Sequence, residues 1–104
     1  MPAYRAPLRD IKFVFDEVLN AYPALQALPE HVEFTADLAE AILEEAAKLA
    51  ENVLAPLNSS GDKEGCHYDA QTRQVKTPAG FVSAYRQFAE GGWTGLACPP
   101  DFGG

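Results

Sequence analysis

Residues 35–56, TADLAEAILEEAAKLAENVLAP, decide how the rest of the chain is read. Thr35 has the side chain of an N-cap, and Asp37 sits where the positive end of a helix dipole favours an acid. Pro56 closes the run, because proline cannot continue the hydrogen-bond ladder. Leu38, Ala39, Ile42, Ala46, Leu49, Ala50 and Val53 recur at helical spacing and make an apolar stripe. Asp37, Glu40, Glu44, Lys48 and Glu51 take the other side, with Glu44 and Lys48 as an i,i+4 ion pair. At about 1.5 Å per residue such a helix runs about 30 Å. Its many alanines favour close approach of neighbouring helices.

Upstream, Asp10 reads as an N-cap, followed by Ile11, Val14, Phe15, Val18, Leu19 and Tyr22 on one helical stripe. Pro23 ends that helix, and a short turn from Ala24 to Leu28 leads to Pro29. Downstream, the residues from Asn58 to Gly65 read as a turn-rich loop. Cys66-His67-Tyr68 and Gln74-Val75-Lys76 then pair as a small hairpin around Asp69 to Arg73. A third helix opens at Thr77 as cap, with Pro78 in its first turn. Phe81, Val82, Tyr85, Phe88 and Ala89 form its apolar side, and Gly91-Gly92 stops it. Trp93 to Gly104 reads as an apolar loop. The expected fold is mainly α: a small bundle of three main helices with an irregular loop or short hairpin between the second and third.

Composition narrows the function. The chain has 104 residues, 47% hydrophobic and 22% charged, which suits one domain with one modest core. Fifteen Asp and Glu against eight Lys and Arg give a net charge of −7. An acidic surface repels phosphate backbones and anionic lipid, which excludes nucleic-acid and membrane-surface binding through a basic patch. Eight acids and no Lys or Arg fall between Phe13 and Ala47, a solvated helix face or a docking surface for a basic partner. No apolar run approaches the roughly 20 residues that span a bilayer, and Met1 to Arg5 lacks the apolar start of a signal peptide. Cys66 and Cys98, far apart with no second pair, read as free thiols in a reducing compartment. The expected location is cytoplasmic.

No chemistry stands out by spacing. His31, His67, Cys66 and Cys98 show none of the ligand pairs of a zinc site. Asn58, Ser60, Asp62 and Glu64 alternate like the start of a calcium loop, but Lys63 stands where glycine is needed and Asp69 where glutamate is needed. Ser59, Ser60 and Ser83 lack a nucleophile-elbow setting, and Gly61-Asp62-Lys63 lacks the glycine spacing of a phosphate loop. By composition and spacing alone, this is an acidic helical domain without a self-contained active site.

The segment from Phe88 to Gly104, with Glu90-Gly91-Gly92-Trp93, Pro99-Pro100 and Phe102-Gly103-Gly104, resembles the part of acyl-CoA dehydrogenases that closes the first section of their N-terminal helical domain. Leu54-Ala55-Pro56-Leu57-Asn58, Gly61-Asp62, Gly65-Cys66 and Thr77-Pro78-Ala79-Gly80-Phe81 with Ala84-Tyr85 match in the same order. The start, Tyr4 to Ile11 with Phe13, is similar to the subfamily that includes 3-methylthiopropanoyl-CoA dehydrogenases. The resemblance covers essentially the whole chain.

It implies that residues 1–104 are the N-terminal helical domain of an enzyme whose middle β-domain and C-terminal helical domain are absent here. In such enzymes FAD lies between those two domains, and a later carboxylate takes the α-proton of an acyl-CoA thioester. The electrons leave through electron-transfer flavoprotein or a similar acceptor. The resemblance therefore places no base and no flavin site in this chain, which is expected to be inactive alone. Its expected partners are the missing domains and other copies of itself. Leu96, Phe102 and Gly103 are the residues it assigns to the lining of the acyl pocket; no catalytic, cofactor or metal residue is assigned. Pro99-Pro100 departs from the family's commoner single proline. A rival reading from another class is a stand-alone acidic helical module that binds a basic partner.

Overall fold

A computed structural model describes residues 3–104; Met1 and Pro2, part of the start read above as lacking the apolar stretch of a signal peptide, lie outside the described residues. Two compact units follow one another, the first ending at Glu51 and the second running Asn52–Gly104.

The first unit is built from α1 (Leu8–Phe13), α2 (Ala21–Gln26) and α3 (Ala36–Leu49). Helix α1 starts two residues before Asp10, directly after Pro7, whose carbonyl accepts from the Ile11 N–H at 3.0 Å. Asp10 therefore sits in the first turn, where it complements the dipole, and does not cap. Val14–Val18 continues as a wider π turn, with Leu19 N–H donating to the Val14 carbonyl at 2.8 Å. Pro23 does not end this helix. The break falls at Asn20, which takes a left-handed φ of 45°, and Pro23 lies in the first turn of α2, where a missing N–H costs nothing.

Helix α3 begins as its sequence predicts: the Thr35 hydroxyl accepts from the Leu38 N–H at 3.2 Å. Its buried side is narrower than the predicted stripe. Ala39 and Ala47 are buried, whereas Leu38 is exposed. Small side chains let α1 approach, and the Lys12–Glu40 ion pair, 2.5 Å long, ties the two helices together. Lys48 pairs with Glu45, one turn back, instead of Glu44. Tyr22 packs edge-on to Phe15 at 6.3 Å between ring centres and against Phe34 at 5.9 Å. Glu51 accepts from the Ala6 N–H at 2.8 Å and holds Arg5 at 3.6 Å, which ties the Arg5-Ala6 segment to this unit.

Helical conformation does not stop at Pro56. After α3, residues Ala50–Leu54 form a second π turn and α4 spans Ala55–Glu64, with Pro56 in its first turn. The predicted loop from Asn58 to Gly65 is thus mostly helix. Gly61 is buried under the Phe81 ring, and the Ser60 hydroxyl bonds back to the Pro56 carbonyl at 3.4 Å. The calcium-loop alternation from Asn58 to Glu64 falls on this helix, where residues two apart do not face one another. Gly65, at φ 69°, ends it.

The hairpin forms as expected: β1 (His67–Asp69) and β2 (Gln74–Lys76) pair antiparallel, with Tyr68 opposite Val75. Asp69 shapes its turn by accepting from the Gln71 and Thr72 N–H groups at 2.9 and 3.3 Å. Helix α5 (Phe81–Glu90) starts later than Thr77, because Gly80 takes the cap position at φ 89° and Thr77 to Ala79 form a turn before it. The Glu64 carboxylate holds that turn by accepting from the Ala79 N–H at 2.7 Å. Ala84 is the buried face of α5, which ends at Gly91 and Gly92 as predicted. The chain is mainly α, as its sequence indicates. Among the described residues no large side chain is fully buried.

Candidate functional site

The segment that the sequence singles out, Trp93–Gly104, is a closed loop of two short 3₁₀ turns, Trp93–Gly95 and Pro100–Phe102. Gly92, at φ 79°, turns the chain out of α5 and into the first of them. The double proline gives the second its start. Pro99 is extended, with φ −59° and ψ 152°, and Pro100 opens the turn with its ring-fixed φ. The Pro99 carbonyl accepts from both Phe102 and Gly104, at 2.9 and 3.1 Å, and Gly103 swings through a φ of 90° to allow it. On the other limb, the Cys98 N–H donates to the Gly95 carbonyl at 2.8 Å.

The two limbs then meet backbone to backbone, Gly95 against the Gly103 carbonyl and Gly104 against the Cys98 carbonyl. The loop therefore carries Leu96 and Phe102 beside its own closure. Both are turned to solvent: Leu96 is 61% exposed and Phe102 79%. Of the three residues assigned to an acyl pocket, Gly103 does backbone work, and Leu96 and Phe102 present uncovered apolar surface on one loop. Gly95 carries no such signal in the sequence. Its φ is outside the left-handed region, and only the folded loop shows what presses on it.

A second apolar feature lies in the same unit. Leu54 and Leu57 face Phe81, Ala84, Tyr85 and Phe88 across a groove of about 410 Å³, whose polar groups are the Asn58 amide and the Tyr85 hydroxyl. A wider basin of about 1000 Å³ lies between the hairpin and α5, where Lys76 and Arg86 share the lining with Asp69.

No group of three or more His, Cys, Asp or Glu able to hold a metal occurs among the described residues. Cys66 and Cys98 are free and exposed. In the first unit three side chains hold their protons more tightly than usual. The hydrogen bond and charge of Glu40 raise Lys12, and those of Glu45 raise Lys48. Burial pushes the Tyr22 phenol up, with the charges of Asp16 and Glu40 adding to it. The loop thus offers shape and apolar surface.

No protein-family model matches the chain. Individual proteins do. It is 38% identical over 101 residues to the 3-methylmercaptopropionyl-CoA dehydrogenase of Ruegeria pomeroyi, covering 97% of this chain and 17% of that protein. It is 32% identical over 107 residues to the broad-specificity linear acyl-CoA dehydrogenase FadE5 of Mycobacterium tuberculosis, covering all of this chain and 17% of that one. With the butyryl-CoA dehydrogenase of Syntrophomonas wolfei it shares 32% identity over 90 residues, 86% of this chain and 15% of the relative. The chain spans about a sixth of the length of these relatives. Along nearly its whole length, then, the chain is similar to enzymes of the acyl-CoA dehydrogenase family.

Proposed function

We propose that these 104 residues are the N-terminal helical domain of an FAD-dependent acyl-CoA dehydrogenase, and that the Trp93–Gly104 loop lines its acyl pocket through Leu96, Phe102 and Gly103. The observation that carries this reading is the match to three dehydrogenases across 86% or more of the chain. The exposed Leu96 and Phe102 on a loop closed by backbone contacts support it, since uncovered apolar surface marks a place where something docks. The proposed substrates are linear acyl-CoA thioesters, the class in the relatives' names, with 3-(methylthio)propanoyl-CoA first among them.

The residues present do not fit the flavin. The groove between α4 and α5 offers only the Asn58 amide and the Tyr85 hydroxyl as polar groups, and its lining carries no cation to balance a diphosphate. The basin beside the hairpin is open, and its two cations share the lining with Asp69. The base and the FAD site are accordingly assigned to sequence beyond these residues, in middle and C-terminal domains, and the chain by itself is inactive. Those domains are the proposed partners of its apolar surfaces, with self-association as the alternative cover when they are missing. Electron-transfer flavoprotein or a similar carrier is the proposed acceptor. No helix among the described residues is long and apolar enough to cross a membrane, and the proposed compartment is the cytoplasm, where exposed free thiols persist. None of the three relatives favours the acidic interaction module.

The reading is tested on the flavin-loaded protein that carries this sequence. Anaerobic addition of 3-(methylthio)propanoyl-CoA or butyryl-CoA is expected to bleach its flavin, and Phe102→Ala is expected to raise KM for the thioester about tenfold, the scale of one missing apolar group in a pocket. Unbleached flavin with every linear acyl-CoA rejects the activity. Unchanged KM in Phe102→Ala rejects the pocket assignment.

A further inference from the structure

The glycines of the Trp93–Gly104 loop are there for different reasons. Gly103 is required by its own backbone, at φ 90°. Gly95 is not, because its φ lies outside the left-handed region. What requires glycine there is space. A Cβ on Gly95 would stand 2.5 Å from the Gly103 carbonyl oxygen and 3.3 Å from its carbonyl carbon, and backbone atoms cannot swing aside as the end of a long side chain can. Gly104 repeats the pattern, since an added Cβ there would overlap the Cys98 carbonyl.

Neither limb is free to yield. The Gly95 carbonyl is held by the Cys98 N–H, and the far limb is held by the two bonds to the Pro99 carbonyl. Leu96 directly follows Gly95, and Phe102 directly precedes Gly103. One of the loop's two close backbone approaches therefore lies between the segments that carry its two exposed apolar side chains.

We propose that Gly95 is a positioning residue whose missing side chain lets the loop close on Gly103 and so sets the spacing at which Leu96 and Phe102 meet the acyl chain of a CoA thioester. This rests on the pocket reading above. An alanine at this position acts as a wedge between the two limbs. It leaves Leu96 and Phe102 in the chain but moves one relative to the other, and so weakens their grip on the acyl chain equally before and during reaction. Such a change raises KM and leaves kcat in place.

The experiment uses the flavin-loaded dehydrogenase carrying this sequence and measures kcat and KM for linear acyl-CoA thioesters of increasing chain length. Four variants are compared: Gly95→Ala, Gly104→Ala, Phe102→Ala and Gly65→Ala. The last is the control for backbone strain, since Gly65 has φ 69°, open space around it and a place before the hairpin, far along the chain from the loop. Gly95→Ala and Gly104→Ala are expected to raise KM about tenfold, the scale of one misplaced apolar group, and to alter the order of preference among chain lengths. Their kcat stays within about twofold, and Gly65→Ala keeps the parent KM. If Phe102→Ala raises KM while Gly95→Ala does not, the positioning role is overturned and the pocket reading stands. If neither moves KM, the pocket reading itself fails. Loss of flavin or of folded protein in both loop variants, with Gly65→Ala intact, assigns the closure to folding and likewise overturns the proposal.

Discussion

Gly80 and Gly65 both stand at positive φ, 89° and 69°, yet only Gly80 has a neighbour against it. A Cβ on Gly80 would lie 2.7 Å from Leu57 Cδ2, whereas one on Gly65 would meet open space. Gly65→Ala therefore carries backbone strain alone, about 1–2 kcal/mol, and Gly80→Ala adds a steric term to a cost of that size. Urea denaturation is expected to rank Gly80→Ala as the less stable of the two; equal losses would show that Leu57 moves aside at no cost. The same scale sets the response to alkali. Lys12 and Lys48 are raised above 10.5 by their glutamate partners, and Tyr22 is raised above 10.0 chiefly by burial. A group raised in the folded state contributes stability that is complete below its unfolded value and is lost as pH climbs through the folded one. The chain is accordingly expected to lose stability from about pH 10 upward. Tyr22→Phe, which has no proton to lose, is expected to flatten that loss in urea melts taken across the alkaline range.

Elements show where local sequence suffices to specify structure and where it does not. Thr35, the hairpin strands and Gly91-Gly92 act through neighbours a few residues away, so their roles are legible in the sequence. Thr35→Ala is expected to cost about 1 kcal/mol through the lost N-cap bond, read as a lower urea midpoint. Pro56 misleads for a physical reason. A proline ends a helix when its ring meets the preceding turn, but here the wider π turn at Ala50–Leu54 comes just before it. Helix then continues through Asn58, Ser59 and Ser60, residues that favour loops, because Phe81 covers Gly61 from a distance of 20 positions in the chain. Pro56→Ala is expected to keep or raise the helical circular-dichroism signal; a clear fall would mean that the π turn depends on proline. Asn20 is the converse case, a break without proline that the apolar stripe across it conceals. Of the candidate site, Leu96, Phe102 and Gly103 are legible from the family pattern. Gly95 is not, since its constraint exists only once the loop has closed.

At the scale of the molecule, side chains as large as Phe13, Leu38, Tyr85 and Phe102 remain exposed, and among the described residues the buried apolar ones are the alanines Ala39, Ala47 and Ala84. Alanine burial supplies little of the apolar area that stabilises a fold, so cover from further polypeptide would add much. The relatives, about six times as long, have the length to provide it. On this account the chain shapes an acyl pocket while base and flavin come from elsewhere. The most direct measurement is made on the purified 104-residue chain, dialysed against FAD and then assayed with butyryl-CoA and an artificial electron acceptor. The expected result is a colourless protein with no acyl-CoA oxidation. Stoichiometric yellow flavin that survives dialysis, or turnover above the no-protein control, would contradict it.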